Sequence, residues 1–201
     1  TKHTRERMDA VNRQVEALFQ RDSAVEKGLE KESRSAYLQS SYIDKWAGFP
    51  LYQNTQTKYY SCGEEMFPDM LEALCGAKHF IFLEYFIIEE GYMFNTILDI
   101  LEEKAKAGVD VRFIYDDVGS INSISFGYYK KLQERGIPCV TFNPFKPLIS
   151  VVMNNRDHRK IFVVDGYIGF TGGINLADEY INKVKRFGYW KDTGVRIEGE
   201  A

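Results

Sequence analysis

Phe80-Ile81-Phe82-Leu83-Glu84-Tyr85-Phe86-Ile87-Ile88 is nearly continuous apolar sequence, rich in aromatic and β-branched residues. Such a run reads as a strand buried on both faces. Residues 94–107 follow with Ile97, Leu98, Leu101 and Ala105 at helical spacing, and Gly108 supplies a stop. Val109-Asp110-Val111-Arg112-Phe113-Ile114-Tyr115 is a second strand. Residues 126–134 form a helix ended by Gly136 and Pro138, and Cys139-Val140-Thr141-Phe142 is a third strand. Strand, helix, strand, helix, strand predicts a parallel sheet with right-handed crossovers, hence an α/β fold.

After Pro147 the rhythm changes. Residues 159–164 read as a strand, Asp165-Gly166 as a hairpin turn, and residues 167–170 as the returning strand. Gly172-Gly173 forms a loop, residues 176–181 suit a short helix, and residues 193–197 a last strand. The sheet is therefore expected to be mixed but largely parallel. Upstream, residues 64–74 carry Met66, Phe67, Met70, Leu71 and Leu74 on one helical face, which places Pro68 in the first turn. Residues 35–56 hold turn signals in Gly48-Phe49-Pro50 and Asn54. Residues 1–34 are highly charged and mixed in sign, with a thin stripe of Val11, Val15, Leu18 and Phe19. We expect a helical lead-in over residues 1–36 and one folded domain over 37–201.

The formal net charge is −3 and the pI about 5.7. The basic surplus that usually supports nucleic-acid binding is missing overall, so no nucleic acid is expected as partner. The three cysteines, Cys62, Cys75 and Cys139, lack metal-ligand or disulfide spacing. No run is apolar over the ~18 residues of a membrane span, and no signal peptide opens the chain. Both ends read as cut from something longer.

The chemistry concentrates in Asn155-Arg156-Asp157-His158-Arg159-Lys160-Ile161-Phe162-Val163-Val164-Asp165 and the following Thr171-Gly172-Gly173-Ile174-Asn175. On a strand, residues two apart share a face, so His158 and Lys160 project the same way and Arg159 the other. An imidazole beside an ammonium suits work on a phosphate: lysine neutralises oxygens, while imidazole attacks phosphorus or shuttles a proton. Asp165 has the opposite parity, which by geometry alone makes it structural. Gly172 and Gly173 allow backbone N–H groups close to an anion, and Asn175 can donate from its amide.

His-x-Lys-x4-Asp followed by x6-Gly-Gly-x-Asn resembles the motif of the phospholipase D superfamily, with every fixed position filled. The surroundings are similar to bacterial-type cardiolipin synthases: Asn155-Arg156-Asp157-His158-Arg159-Lys160, the glycine pair, Asp178-Glu179-Tyr180, Gly188-Tyr189-Trp190-Lys191-Asp192-Thr193, and upstream Glu84-Tyr85-Phe86-Ile87 and Asp116-Asp117-Val118-Gly119-Ser120. The family usually has Asn at position 157 and commonly Arg at 191. The resemblance runs from about residue 37 to 201.

It implies a phospholipase D-like α/β/α sandwich and a phosphatidyltransferase that makes cardiolipin from two phosphatidylglycerol molecules. It makes His158 one of two catalytic histidines, one of which carries the phosphatidyl group. Lys160 and Asn175 would hold the phosphate, Asp192 would orient the histidine, and Asp165, counted with the catalytic motif, would be a structural anchor. It implies no metal or cofactor. It also implies amino-terminal spans in the family, a cell-membrane location with the catalytic domain on the cytoplasmic side, and an anionic membrane surface as partner. The family enzyme carries two such motifs, whereas this sequence has one, so the other half of the site is expected from carboxy-terminal sequence or a second chain.

Other readings stand beside this one. A phospholipase D-type phosphodiesterase or nuclease active as a homodimer uses the same half-site, and an isolated lobe could simply bind anionic lipid. Glu84 either faces the site as a substrate contact or pairs structurally. Asp116-Asp117 reads as a strand end rather than a metal pair. Tyr189 and Trp190 read as packing. Pro144 and the apolar residues up to Met153 form a core strand or, as we favour because Pro147 spoils a central strand, an apolar lip for acyl chains.

Overall fold

The computed structural model describes residues 2–145 and 154–201, with side chains from residue 5 onward. Most of the apolar lip expected before the histidine motif lies outside the described residues. The chain divides into two compact units, residues 1–55 with 200–201, and residues 56–199.

The first unit is helical: α1 (Lys2–Glu16), α2 (Ser23–Glu32) and α3 (Arg34–Ala47). The Asp22 carboxylate accepts the Ala24 N–H at 2.8 Å to cap α2, and Ser33 Oγ accepts the Ala36 N–H to cap α3. Arg21 clamps the Asp44 carboxylate at 2.8 Å. Helix α3 occupies most of a stretch read as turns, because the loop signals Gly48 and Pro50 mark only its exit. It packs on α2, so this unit extends to residue 55 where the sequence suggested a lead-in ending at 36.

The second unit is built on one seven-stranded sheet. Its strands are β1 (Thr55–Tyr60), β2 (Phe80–Tyr85), β3 (Asp110–Asp116), β4 (Cys139–Phe142), β5 (Lys160–Val164), β6 (Ile168–Gly172) and β7 (Gly194–Gly199). Their order is β1-β7-β6-β5-β2-β3-β4. The sheet is mixed as expected. The ladders of β2–β3 and β3–β4 are parallel, whereas those of β2–β5, β5–β6 and β6–β7 are antiparallel. The expected parallel majority is not met, because β5 enters the sheet antiparallel to β2 and the tight turn at Asp165-Gly166 makes β6 run back beside β5.

Helices α4 (Gly63–Gly76), α5 (Tyr92–Lys106) and α6 (Tyr128–Glu134) cover one face. There Ile81, Leu83, Tyr85, Val111, Phe113, Tyr115, Phe162 and Val164 pack against Met70, Phe94, Ile97 and Leu132 as the core. Burial along β2 alternates, so Phe80, Phe82 and Glu84 are only half-buried on the opposite face. The expectation of a strand buried on both faces is corrected accordingly. Pro68 lies in the second turn of α4 rather than the first, because the helix begins at Gly63.

Candidate active site

The carboxyl ends of β2 and β3 meet the start of β5 at one edge of the sheet, since Tyr85 pairs with Lys160 in the antiparallel register. Ligands of open α/β sheets bind outside such strand ends. Lys160 is the first residue of β5, projects into the core face, and is 5% exposed. Its Nζ donates to the His158 carbonyl at 2.7 Å and lies 5.2 Å from the centre of the Phe86 ring. Burial lowers its pKa, opposed by the nearby charges of Asp192 and Asp157. His158 is exposed, and its ring stands 4.7 Å from the same Phe86 ring. The two residues that the sequence placed on one face thus share one aromatic wall.

Phe86 is a site residue that sequence reasoning passed over. Only its place at the end of a β-rich run hinted at it. Its carbonyl accepts the Ser120 hydroxyl at 3.2 Å.

Asn175 is buried, and its side chain works within the fold. Oδ1 accepts the Ile87 N–H at 3.0 Å, and Nδ2 donates to the Tyr180 hydroxyl at 2.7 Å. One amide hydrogen is therefore already committed. The glycine pair, expected to offer N–H groups to an anion, has a different use. The Gly173 N–H donates to the Thr193 carbonyl at 3.0 Å, and a methyl on Gly173 would overlap the Asp192 carboxylate. Glycine suits this position because the Asp192 carboxylate occupies the space of a Cβ and would have to shift to admit one. Asp192 itself accepts the Thr193 N–H at 2.9 Å.

Gly173→Ala is expected to cost about 1–3 kcal/mol by overpacking. Thermal unfolding followed by circular dichroism measures it. Adding Asp192→Ala should recover most of the loss, since that removes the overlapping oxygens, and simple additivity of the two costs would disprove the contact.

Asp165 sits at the opposite end of β5 from His158. Its two oxygens accept the N–H groups of Lys78 (2.8 Å), His79 (2.7 Å) and Phe80 (2.8 Å), fixing the start of β2. The structure corrects its place in the catalytic set: the carboxylate is spent on strand anchoring, five residues of strand away from the imidazole.

Glu84 lies on the sheet face opposite Lys160, and it pairs structurally instead of facing the phosphate site. Its Oε1 is 2.6 Å from Arg159 Nη2, an ion pair at an angle poor for a hydrogen bond. Arg159 also donates to Asp157 at 2.8 Å. Burial, then the neighbouring Asp157, pushes the Glu84 carboxyl up to about 7. Asp157 takes the lower value: burial would raise it, but Arg159 and Glu84 hold it down. Asp157 and Glu84 thus form a carboxyl pair that shares Arg159.

The segment before His158 is held by Asp116, which is fully buried. Its oxygens accept the Asp157 N–H (2.9 Å), Arg156 Nη1 (3.1 Å) and the Gly119 N–H (2.8 Å). Asp117 accepts the Phe145 N–H at 2.8 Å. Asp116 closes the turn at Gly119 and Asp117 ties down the distant Phe145, in line with the strand-end reading. Among the described residues no group of three or more His, Cys, Asp or Glu is placed to hold a metal ion, and no helix is long and apolar enough to cross a membrane.

An exposed imidazole, a buried ammonium and a carboxylate within charge reach of it form a compact arrangement for phosphoester chemistry. Residues 70–185 match the family described as cardiolipin synthase, phospholipase D-like domain. The chain is 46% identical over 186 residues to an uncharacterized protein of Streptococcus mutans, covering 92% of this chain and 40% of that protein. It is 45% identical over 153 residues to a cardiolipin synthase of Alkalihalophilus pseudofirmus, covering 76% of this chain and 30% of that enzyme. It therefore spans two fifths or less of these curated relatives. The fold is similar to the phospholipase D family member Nuc of Salmonella typhimurium, with a TM-score of 0.52 and 22% identity over 72% of this chain and 82% of that one. A match to this family over more than half of the sequence, together with 45% identity to a cardiolipin synthase over 76% of the chain, shows that the chain belongs to the cardiolipin synthase family of phospholipase D-like domains.

Proposed function

We propose that this chain supplies one half of the active site of a phosphatidyltransferase that makes cardiolipin from two phosphatidylglycerol molecules at a membrane surface. The observation that carries the reading is the pairing of exposed His158 with buried Lys160 against Phe86, with Asp192 close behind. An active-site histidine nitrogen attacks the phosphorus of phosphatidylglycerol. The glycerol oxygen leaves and takes a proton from a second histidine, which the other half of the site provides. The hydroxyl of another phosphatidylglycerol then attacks the phosphohistidine, returns the proton, and cardiolipin departs with the histidine restored. Two displacements through a covalent intermediate replace one difficult step. Lys160 offsets the charge on the non-bridging oxygens throughout.

The test incubates the full-length protein with phosphatidylglycerol vesicles and reads the products by mass spectrometry. Cardiolipin with an equal amount of free glycerol is expected. Phosphatidic acid as the main product would make the protein a hydrolase, and unchanged lipid would reduce the chain to a binding lobe.

A further inference from the structure

Residues 182–191, Asn-Lys-Val-Lys-Arg-Phe-Gly-Tyr-Trp-Lys, contain four cations and no carboxylate in a chain whose net charge is −3. The structure turns this stretch into a loop pinned at its base. The Asn182 side chain accepts the Trp190 N–H at 2.6 Å and donates to the Trp190 carbonyl at 2.8 Å, closing the loop on itself. Nδ2 of Asn182 also donates to Glu64 Oε1 at 2.8 Å, tying the base to α4. Trp190 is packed against Tyr180, ring centres 4.9 Å apart. Tip and base differ in kind. Val184, Phe187 and Tyr189 are 51%, 73% and 65% exposed, whereas an isolated soluble domain gains nothing by presenting three such side chains together.

The charges share the tip. Lys185 and Lys191 make no ion pair among the described residues. Lys183 lies over the Tyr92 ring, and Arg186 is 3.4 Å from Glu89 and 3.3 Å from Glu179. The base joins the candidate active site directly. Tyr180, which stacks on Trp190, holds Asn175, and Asp192 follows Lys191.

We propose that the 183–189 loop is an interfacial docking element that seats on an anionic phospholipid surface beside the active site. Its apolar tip enters the headgroup boundary and its lysines and arginine pair with lipid phosphates. Charge complementarity favours this occupant. A local cationic patch on a net acidic chain attracts an anionic surface at short range, and the exposed aliphatic and aromatic tip matches the interface of a bilayer. A nucleic-acid groove would extend the basic character along a stripe and offer little aliphatic surface. The inference rests on the loop itself and deepens the lipid reading without requiring the transfer reaction.

The test is flotation of the 201-residue chain with vesicles of phosphatidylcholine, with and without phosphatidylglycerol. Binding is expected only with phosphatidylglycerol and should weaken as salt is raised. Lys185→Glu with Arg186→Glu should reduce it on the order of a hundredfold, from the interaction of a basic residue with an anionic surface. Phe187→Ser should reduce it by about tenfold through the lost apolar contact. Circular dichroism melts confirm that the variants remain folded. Absent binding by the natural sequence, or binding unaffected by both substitutions, overturns the proposal. Tighter binding to a single-stranded oligonucleotide, lost on the same charge reversal, also overturns it and reassigns the loop. Vesicle binding through the loop in a protein that makes no cardiolipin would leave the inference standing and remove only the transfer reading.

Discussion

Replacing His158 with alanine is expected to lower cardiolipin formation by the full-length protein by about 10⁴-fold or more, whether the residue acts as nucleophile or as the essential acid. The size follows from its position. The imidazole is the exposed group of the cluster, beside the buried Lys160 ammonium, and His158 is the one histidine of the sequence with a lysine two places on. The fold should tolerate the change, because the side chain is exposed and the segment is held by backbone and neighbours: Asp116 on the Asp157 N–H, and Asp116 on Arg156. Rates measured in phosphatidylglycerol vesicles, beside a thermal melt, separate the two effects. Residual activity within about tenfold of the natural protein would remove His158 from the chemistry. An unchanged melt with lost activity is the expected pair of results.

Asp165→Ala should have the largest effect on stability, about 3 kcal/mol or more, because it strips the charged acceptor from three backbone N–H groups at once. A further contribution comes from the backbone, for Asp165 has φ 54°, a left-handed conformation that aspartate tolerates better than alanine. With Gly166 at φ 66° it forms the centre of the turn from Val164 to Tyr167 that joins β5 to β6. For a chain of this length the melting temperature should fall by roughly 6–12 °C. Asp165→Asn keeps one acceptor oxygen and the turn conformation, so it should cost clearly less. Equal losses for the two variants would show that the N–H contacts contribute little.

The pH dependence of this anchor has a definite sign. Burial would raise the Asp165 pKa, but the N–H groups of Phe80, Lys78 and His79 hold it below the usual carboxylate value. A folded pKa below the unfolded one gives stability that is complete above the unfolded value of about 4 and is lost as pH falls through the folded value. The difference in stability between the natural chain and Asp165→Asn should therefore shrink as the solution is acidified below about pH 4.

Much of this was legible in the residues. The strand and helix order from β2 to β4 follows from apolar runs and helical spacing, and the Asp165-Gly166 turn follows from the left-handed preference of those residue types. Local chemistry decides such features, so neighbouring sequence is enough. The His158 and Lys160 pairing on a shared face needed only the two-residue period of a strand. The motif, read against a known family, carried the identity of the cluster and the class of reaction it implies.

Tertiary structure decided the rest. A sequence cannot reveal that α5 starts without a capping side chain of its own at Gly91 and takes its cap from Asp178, which accepts the Tyr92 and Met93 N–H groups across 85 residues or more of chain. Nor does spacing show that Gly173 is a glycine because Asp192 needs its space, or that Asn175 spends its oxygen on Ile87. Glu84 reads alike in sequence whether it faces a substrate or a partner, and only the register Glu84 opposite Ile161 puts it on the face away from Lys160. The motif marked out His158 and Lys160 as the candidates for chemistry. Which motif residues touch, and which merely hold the fold, depends on packing between segments far apart in the chain, and close approach of that kind leaves no local trace.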